Sequence, residues 1–245
     1  AVDALGADKV RAVMMPSPYT SAESLRDAEN VARLLGIRYD VLPILEPMKA
    51  FDELLKPVFD GRPADTTEEN IQARLRAVLL MSLSNKFGDL LLNTCNKSED
   101  ATGYATLYGD SCGGYAPLKD LYKTDAYALV RWRNANHPRW IQNEITTIMP
   151  EELLTKAPTA ELRPNQKDED SLPPYPELDA ILKMMIEQDA GVEEIAAAGH
   201  PIETVQKVFE LLHGSEYKRL QGAPGVKLSR RSFDEDWNYP ITKKV

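Results

Sequence analysis

The first 94 residues alternate short apolar runs with capped, amphipathic stretches, and this alternation restricts the architecture more than any other feature of the chain. Residues 9–15 (KVRAVMM) are rich in Val and Met and lie between Gly6 and the pair Pro16 and Pro18, as a buried strand does. Thr20 and Glu23 have capping-box spacing, and Leu25, Ala28, Ala32 and Leu35 then recur at helical intervals up to Gly36. Residues 37–44 (IRYDVLPI) form a second strand candidate, followed by an amphipathic stretch over residues 47–59 and a polar turn, DGRPAD. Thr66 and Glu69 repeat the capping spacing and open a long helix with a buried stripe of Ile71, Leu75, Val78, Leu79 and Ser82, ending near Gly88. Residues 90–94 (LLLNT) make a third strand. Strands alternating with helices imply an α/β fold with a parallel sheet, right-handed crossovers and helices on both faces. Ligands on such sheets bind beyond the C-terminal strand ends.

Beyond Thr94 the texture changes. A loop rich in Gly and Tyr covers residues 103–115, a helix is expected over 123–136, and a Pro- and charge-rich stretch, PTAELRPNQKDEDSLPPYP, reads as a long loop. Helices are expected over 177–188, 192–198 and 201–213, the last with Pro201 in its first turn, and a basic tail runs from Lys218. The chain opens on AVDALGADKV without an initiator Met, and its first residues read as the last turn of a helix stopped by Gly6, so further residues are expected to precede it.

Of the 245 residues, 38 are acidic and 29 basic, for a formal charge of −9, which argues against binding to a nucleic-acid backbone. No apolar run approaches the roughly 18 to 20 residues of a bilayer span, so no membrane is expected. Two cysteines, Cys95 and Cys112, and three scattered histidines provide neither a disulfide framework nor zinc spacing. A reducing, cytoplasmic compartment is the expectation.

The densest chemistry lies in NTCNKSEDATGYATLYGDSCGGYAPLKDLYK, directly after the third strand, where the strand-end rule places a ligand. Asn96, three residues before Glu99, suits the cap of a short helix; Glu99 reads either as a magnesium ligand or as the closing residue of a capping box. Gly103, Gly109, Gly113 and Gly114 suit ordinary turns, and Ser111-Cys112-Gly113-Gly114 is assigned a structural role. Asn70 and Arg74 share a helix face, either to reach a ligand or as a solvated flank. Lys123 at a helix start is electrostatically misplaced, which a nearby phosphate would explain. Asp168, Glu169 and Asp170 read as solvated loop, and Lys218 and Arg219 as surface charge.

The strings TTEENIQARLRA, NTCNKSEDATGYATLYGD, APLKDLYKTDAYAL, PTAELRPNQKDEDSLPPY and EYKRLQGAPGVKLSRRSF together resemble the synthetase domain of NAD synthetases, the DEDSLPPY loop and tail being most similar to the glutamine-dependent type. The resemblance covers essentially the whole chain in order. It implies a Rossmann-like, adenine nucleotide alpha hydrolase-like fold with a helical C-terminal part. It also implies ATP-dependent amidation of deamido-NAD through an adenylate, with release of pyrophosphate and AMP. By the same resemblance Thr94, Lys123 and Thr159 contact ATP, and Glu99 ligates Mg²⁺ and lies against deamido-NAD. Asn70, Arg74, Tyr104, Thr106, Leu107 and Lys218 line the deamido-NAD site, and the loops at Tyr104 and Thr159 are mobile covers. Members form homodimers or higher homo-oligomers.

The chain departs from that pattern in two ways. The family's Ser-Gly-Gly-x-Asp-Ser pyrophosphate loop, which follows its first strand, has no counterpart here, and neither does an amidase domain supplying ammonia from glutamine. Residues 1–245 are therefore expected to be the synthetase domain without its first strand and loop, a fragment inactive by itself. Three other readings stay open: another N-type ATP pyrophosphatase, a non-catalytic dinucleotide-binding or dimerisation module, and an NAD-dependent oxidoreductase, the last weakened by the lack of G-x-G-x-x-G after a strand.

Overall fold

The computed structural model describes residues 1–141 and 143–242; the last three residues of the basic tail lie outside them. In chain order the elements are α1 (Val2–Leu5), β1 (Arg11–Met14), α2 (Ala22–Leu35), β2 (Arg38–Val41), α3 (Leu45–Phe59), α4 (Thr66–Phe87), α5 (Lys97–Thr102), α6 (Lys123–Ala135), α7 (Glu151–Thr155), α8 (Tyr175–Glu187), α9 (Val192–Ala197), α10 (Ile202–Gly214) and α11 (Glu216–Arg219). Short 3₁₀ turns occur at Ala7–Lys9 and Asp168–Asp170. The chain divides into two compact units, Ala1–Arg76 with Tyr127–Asp170, and Ala77–Ala126 with Ser171–Val245.

The first unit holds the parallel pair β1 and β2, in register from Arg11 opposite Arg38 to Met14 opposite Val41. Asp40 accepts from Arg11 at 2.6 Å and from Arg38 at 3.0 Å, tying the charged ends of the two strands together. The βαβ unit inferred from the alternation is therefore present. Its helix α2 starts one residue later than the Thr20 and Glu23 spacing predicts: Ser21 caps it, accepting from the Ser24 N–H, while Thr20 Oγ1 accepts from the Ser17 N–H. The cap of α4 moves the other way. Asp65 accepts from the Thr67 N–H at 2.7 Å and Glu68 reaches back to the Asp65 N–H at 2.8 Å, so Asp65 and Glu68 replace Thr66 and Glu69. The predicted stripe on α4 is only partly buried. Leu75 is buried with Gln72, Ala73 and Ala77, Ile71 and Leu79 are half-buried, and Val78 and Ser82 are exposed. Gln72 donates to the Leu162 carbonyl at 2.8 Å, so a polar contact with the long loop draws that face inward.

The second unit packs around α8 and α10, with Leu178, Ile181, Leu182, Ile186, Val205, Val208 and Leu212 fully buried and Ile195 of α9 among them. The third predicted strand is reduced here to a single parallel bridge between Leu92 and Tyr115. The Asn93 N–H still bonds the Tyr115 carbonyl at 2.9 Å and the Gly114 N–H the Leu91 carbonyl at 2.8 Å, but the next N–H in line, that of Cys95, turns to Asn93 Oδ1 at 2.8 Å, while the Asn93 amide donates to the Asp110 and Cys112 carbonyls. Gly113 permits this approach, since a Cβ there would lie 2.8 Å from the Asn93 nitrogen, which bears out the structural role of the SCGG string. No described helix is long and apolar enough to cross a membrane.

Candidate functional site

The centre of the second unit's polar chemistry is the short helix α5. Asn96 stands in extended conformation and its side chain accepts from the Ser98 and Glu99 N–H groups at 3.1 and 3.2 Å, while Glu99 Oε2 accepts from the Asn96 N–H at 3.1 Å. The capping box is thus complete, and it consumes only one oxygen of Glu99. The other, Oε1, accepts from Lys123 Nζ at 2.9 Å. The two side chains are 17% and 19% exposed, so the pair is mostly shielded yet reachable. Lys123 also lies 5.2 Å from the centre of the Tyr175 ring. A carboxylate and an aromatic face therefore offset the cation's position at the start of α6.

Two buried clusters fix these helices. Lys97, fully buried, donates to Ser229 Oγ and the Arg231 carbonyl, both at 2.6 Å, and pairs with Asp120 at 2.8 Å and Glu187 at 3.3 Å. Burial pushes the Asp120 carboxyl up, but Lys97 and the Ser229 and Leu228 N–H groups outweigh it and hold Asp120 below the usual carboxylate range. Asp179 of α8, equally buried, accepts from Ser98 Oγ at 2.5 Å, from the Thr124 N–H at 2.9 Å and from Thr124 Oγ1 at 2.7 Å. Ser98 Oγ in turn accepts from the Lys123 N–H at 3.0 Å. Sequence reasoning missed Lys97 and Asp179, because their partners lie up to 134 residues away and no spacing rule links them.

The glycine- and tyrosine-rich loop that follows α5 is tied down as well. Gly103 takes a φ of +66°, and a Cβ there would meet the Ser215 side chain, so both conformation and space demand glycine. Lys218 Nζ donates to the Gly103 and Ala105 carbonyls at 2.7 and 2.8 Å. Far from a surface charge, its ammonium is half-buried, and burial pushes it down against the opposing pull of Asp110. The Thr106 N–H donates to Asp110 at 2.6 Å, and Tyr104, Thr106 and Leu107 are all half-buried. Arg219, also expected on the surface, is buried and paired with Glu216 at 2.7 Å. A cavity of about 20 Å³ lies among Asn93, Asp100, Lys119, Lys218 and Arg219. Burial and the nearby Glu99 push the Asp100 carboxyl up to about 7 against the opposing pull of Lys119 and Arg219. Thr94 is exposed just ahead of the α5 cap. The second unit thus carries Thr94, Glu99, Tyr104, Thr106, Leu107 and Lys123 on α5, its flanking loops and the start of α6, with Lys218 of α11 bonded to the loop after α5.

Asn70, Arg74 and Thr159 belong to the first unit. Asn70 is half-buried and Arg74 exposed, one turn apart on α4. Thr159 Oγ1 donates to the Gln166 carbonyl at 2.6 Å and accepts from the Glu161 N–H at 3.2 Å, closing a compact turn. Gln166 and Arg163 both reach Glu69, the residue before Asn70, at 3.2 and 3.4 Å. The loop bearing Thr159 is therefore hydrogen-bonded to the helix bearing Asn70 and Arg74. Asp168 within it is buried rather than solvated. Among the described residues no three His, Cys, Asp or Glu side chains gather as a metal-binding group.

A parallel sheet, alternating helices and a helical C-terminal part place the molecule among Rossmann-like α/β proteins of the adenine nucleotide alpha hydrolase type. The family model described as NAD synthase matches residues 1–222. The chain belongs to the NAD synthase family. It is 52% identical over 244 residues to the glutamine-dependent NAD(+) synthetase of Rhodobacter capsulatus, matching 100% of this chain and 44% of that protein. It is also 52% identical over 244 residues to the enzyme of the same name from Thermotoga maritima, 100% of this chain against 41% of the relative. A solved structure of glutamine-dependent NAD+ synthetase from Acinetobacter baumannii in complex with adenosine diphosphate matches with a TM-score of 0.59 at 46% identity, over 98% of this chain and 42% of that one. The chain thus spans less than half the length of these relatives.

Proposed function

We propose that this chain is the synthetase part of a glutamine-dependent NAD synthetase, which uses ATP to amidate deamido-NAD and releases AMP and pyrophosphate. The observation that carries the reading is the shielded Glu99 and Lys123 pair at the start of α5 and α6 in a chain of this family. The chemical problem is charge, because the nicotinate carboxylate must attack the α-phosphate of a polyanion. Lys123, with an ammonium already held over the site by Glu99 and Tyr175, turns to ATP phosphate oxygens and spreads that charge. Thr94 and Thr159 offer hydroxyls to ATP. Asn70, Arg74, Tyr104, Thr106, Leu107 and Lys218 line the deamido-NAD site and orient its carboxylate, and the surrounding loops exclude water from the adenylate until ammonia displaces AMP.

Glu99 suits Mg²⁺ held mainly by phosphate and water: one carboxylate oxygen is taken by the cap and the other is exchangeable with Lys123. The ion, when bound, would neutralise charge on the leaving pyrophosphate. We further assign residues 1–245 to a single synthetase domain of a longer protein whose amidase domain supplies ammonia from glutamine. We place that protein in the cytoplasm as a homodimer or higher homo-oligomer. Incubating the full-length protein with ATP, deamido-NAD and either glutamine or ammonia tests the reading. NAD, AMP and pyrophosphate should appear in equal amounts; ADP and phosphate, or no NAD, would overturn it.

A further inference from the structure

We infer that Asp179 is a positioning residue that sets the separation of Glu99 and Lys123 through one carboxylate shared between the starts of α5 and α6. The inference rests on the reading of that pair just proposed. Asp179 is 2% exposed and receives three donors, Ser98 Oγ on one oxygen and the Thr124 N–H and Oγ1 on the other. Ser98 immediately precedes Glu99, and Thr124 immediately follows Lys123. The Lys123 N–H completes the circuit by donating to Ser98 Oγ at 3.0 Å. Hydrogen bonds therefore run from Lys123 through the Ser98 hydroxyl to Asp179, and from Asp179 back to Thr124. The Glu99 capping box orders α5 internally but does not connect it to α6. Beside the Glu99 and Lys123 pair itself and the Lys97 N–H bond to the Leu121 carbonyl at 3.0 Å, the Ser98 hydroxyl and the Asp179 carboxylate make that connection.

A carboxylate suits this place best, because three groups donate to it at once and one of them, the Thr124 N–H, can only donate. Asn has the same shape but no charge and only one acceptor oxygen; with that oxygen on Thr124, its NH₂ meets Ser98 Oγ, which must turn from donor to acceptor while it already accepts from the Lys123 N–H. The two helix starts would then be coupled less firmly, and Glu99 and Lys123 would no longer be presented to the ligands from fixed positions. A misplacement of about 1 Å in a positioned group costs about a hundredfold in rate.

The test compares full-length wild type, Asp179→Asn and Ser98→Ala, measuring kcat, KM for ATP and the Mg²⁺ concentration for half-maximal activity, at a temperature where circular dichroism shows each fully folded. Asp179→Asn should lower kcat/KM by about a hundredfold and raise the Mg²⁺ requirement. Ser98→Ala breaks the same link while leaving Thr124 bonded, so it should shift both quantities in the same direction by a smaller factor. In the double variant the two losses should be less than additive. Unchanged kcat, KM and Mg²⁺ requirement in folded Asp179→Asn, whatever its melting temperature, would reduce Asp179 to a structural residue and overturn the inference. If Asp179→Asn does not fold, Ser98→Ala decides alone, and wild-type kcat/KM and Mg²⁺ response in that variant would overturn it. An inactive wild type would instead overturn the functional reading, and the positioning role with it.

Discussion

Replacing Glu99 with Gln separates the two tasks of that side chain. Its Oε2 closes the α5 capping box, 3.1 Å from the Asn96 nitrogen, and an amide oxygen can do the same at little cost. Its Oε1 holds Lys123 at 2.9 Å with both side chains below one-fifth exposure, a setting between a surface pair and a buried one. Exposed pairs contribute up to about 1 kcal/mol and hydrogen bonds to charged groups about 1.5 to 3 kcal/mol, so the loss of charge should cost about 1 to 2 kcal/mol of stability. If stability were the only consequence, turnover at 25 °C would be near normal. As a hard-oxygen ligand and an orienter of Lys123, however, the carboxylate cannot be replaced by an amide without weakening the hold on the phosphates in the transition state. Turnover should fall about a hundredfold, with partial recovery as Mg²⁺ is raised. The assay is NAD formation by the full-length protein against Mg²⁺ concentration, paired with thermal unfolding of both forms. Normal turnover in Glu99→Gln, whatever its melting temperature, would refute the assignment and leave Glu99 as a helix cap.

Lys97→Met removes the cation shared by Asp120 and Glu187 and strands both carboxylates, so chemical denaturation should show a loss of about 3 kcal/mol or more. Asp100 gives a pH dependence whose sign follows from its raised value. The folded chain holds this proton more tightly than an unfolded carboxyl with a pKa of 3.8, so the group's contribution is full below about pH 4 and is lost as pH rises through about 7. Asp100→Asn should therefore match wild type in melting temperature near pH 4 and exceed it by pH 8; a variant less stable at pH 8 would show that Lys119 and Arg219 hold Asp100 ionised. Lys218→Met leaves the Gly103 and Ala105 carbonyls without their donor, which should cost about 1 to 3 kcal/mol in an unfolding measurement and raise KM for deamido-NAD.

Much of the candidate site was legible because it is local. The Asn96 and Glu99 capping box spans four residues and forms as its spacing predicts, whereas the odd placement of Lys123 at a helix start, read as a sign of phosphate, is offset in this structure by the Glu99 carboxylate. Cap positions on α2 and α4 were wrong by one residue because Ser, Thr and Asp are neighbours there and all can cap. The third strand shrinks to one bridge although residues 90–94 have strand composition, because the Cys95 N–H is taken by Asn93 Oδ1 rather than by a neighbouring strand.

The sequence by itself determined the βαβ opening and the helical C-terminal part, which rest on periodicity and spacing, and the family, which rests on contiguous motifs; the residues assigned to ATP and deamido-NAD are what that resemblance implies. Only the tertiary structure decided which charges are buried. Lys97, Asp179 and Arg219 look like surface residues in the sequence, and each is inside because partners remote in the chain supply the hydrogen bonds or opposite charge that water would otherwise provide. A buried charge is stable only with such partners, and chain separation carries no trace of them.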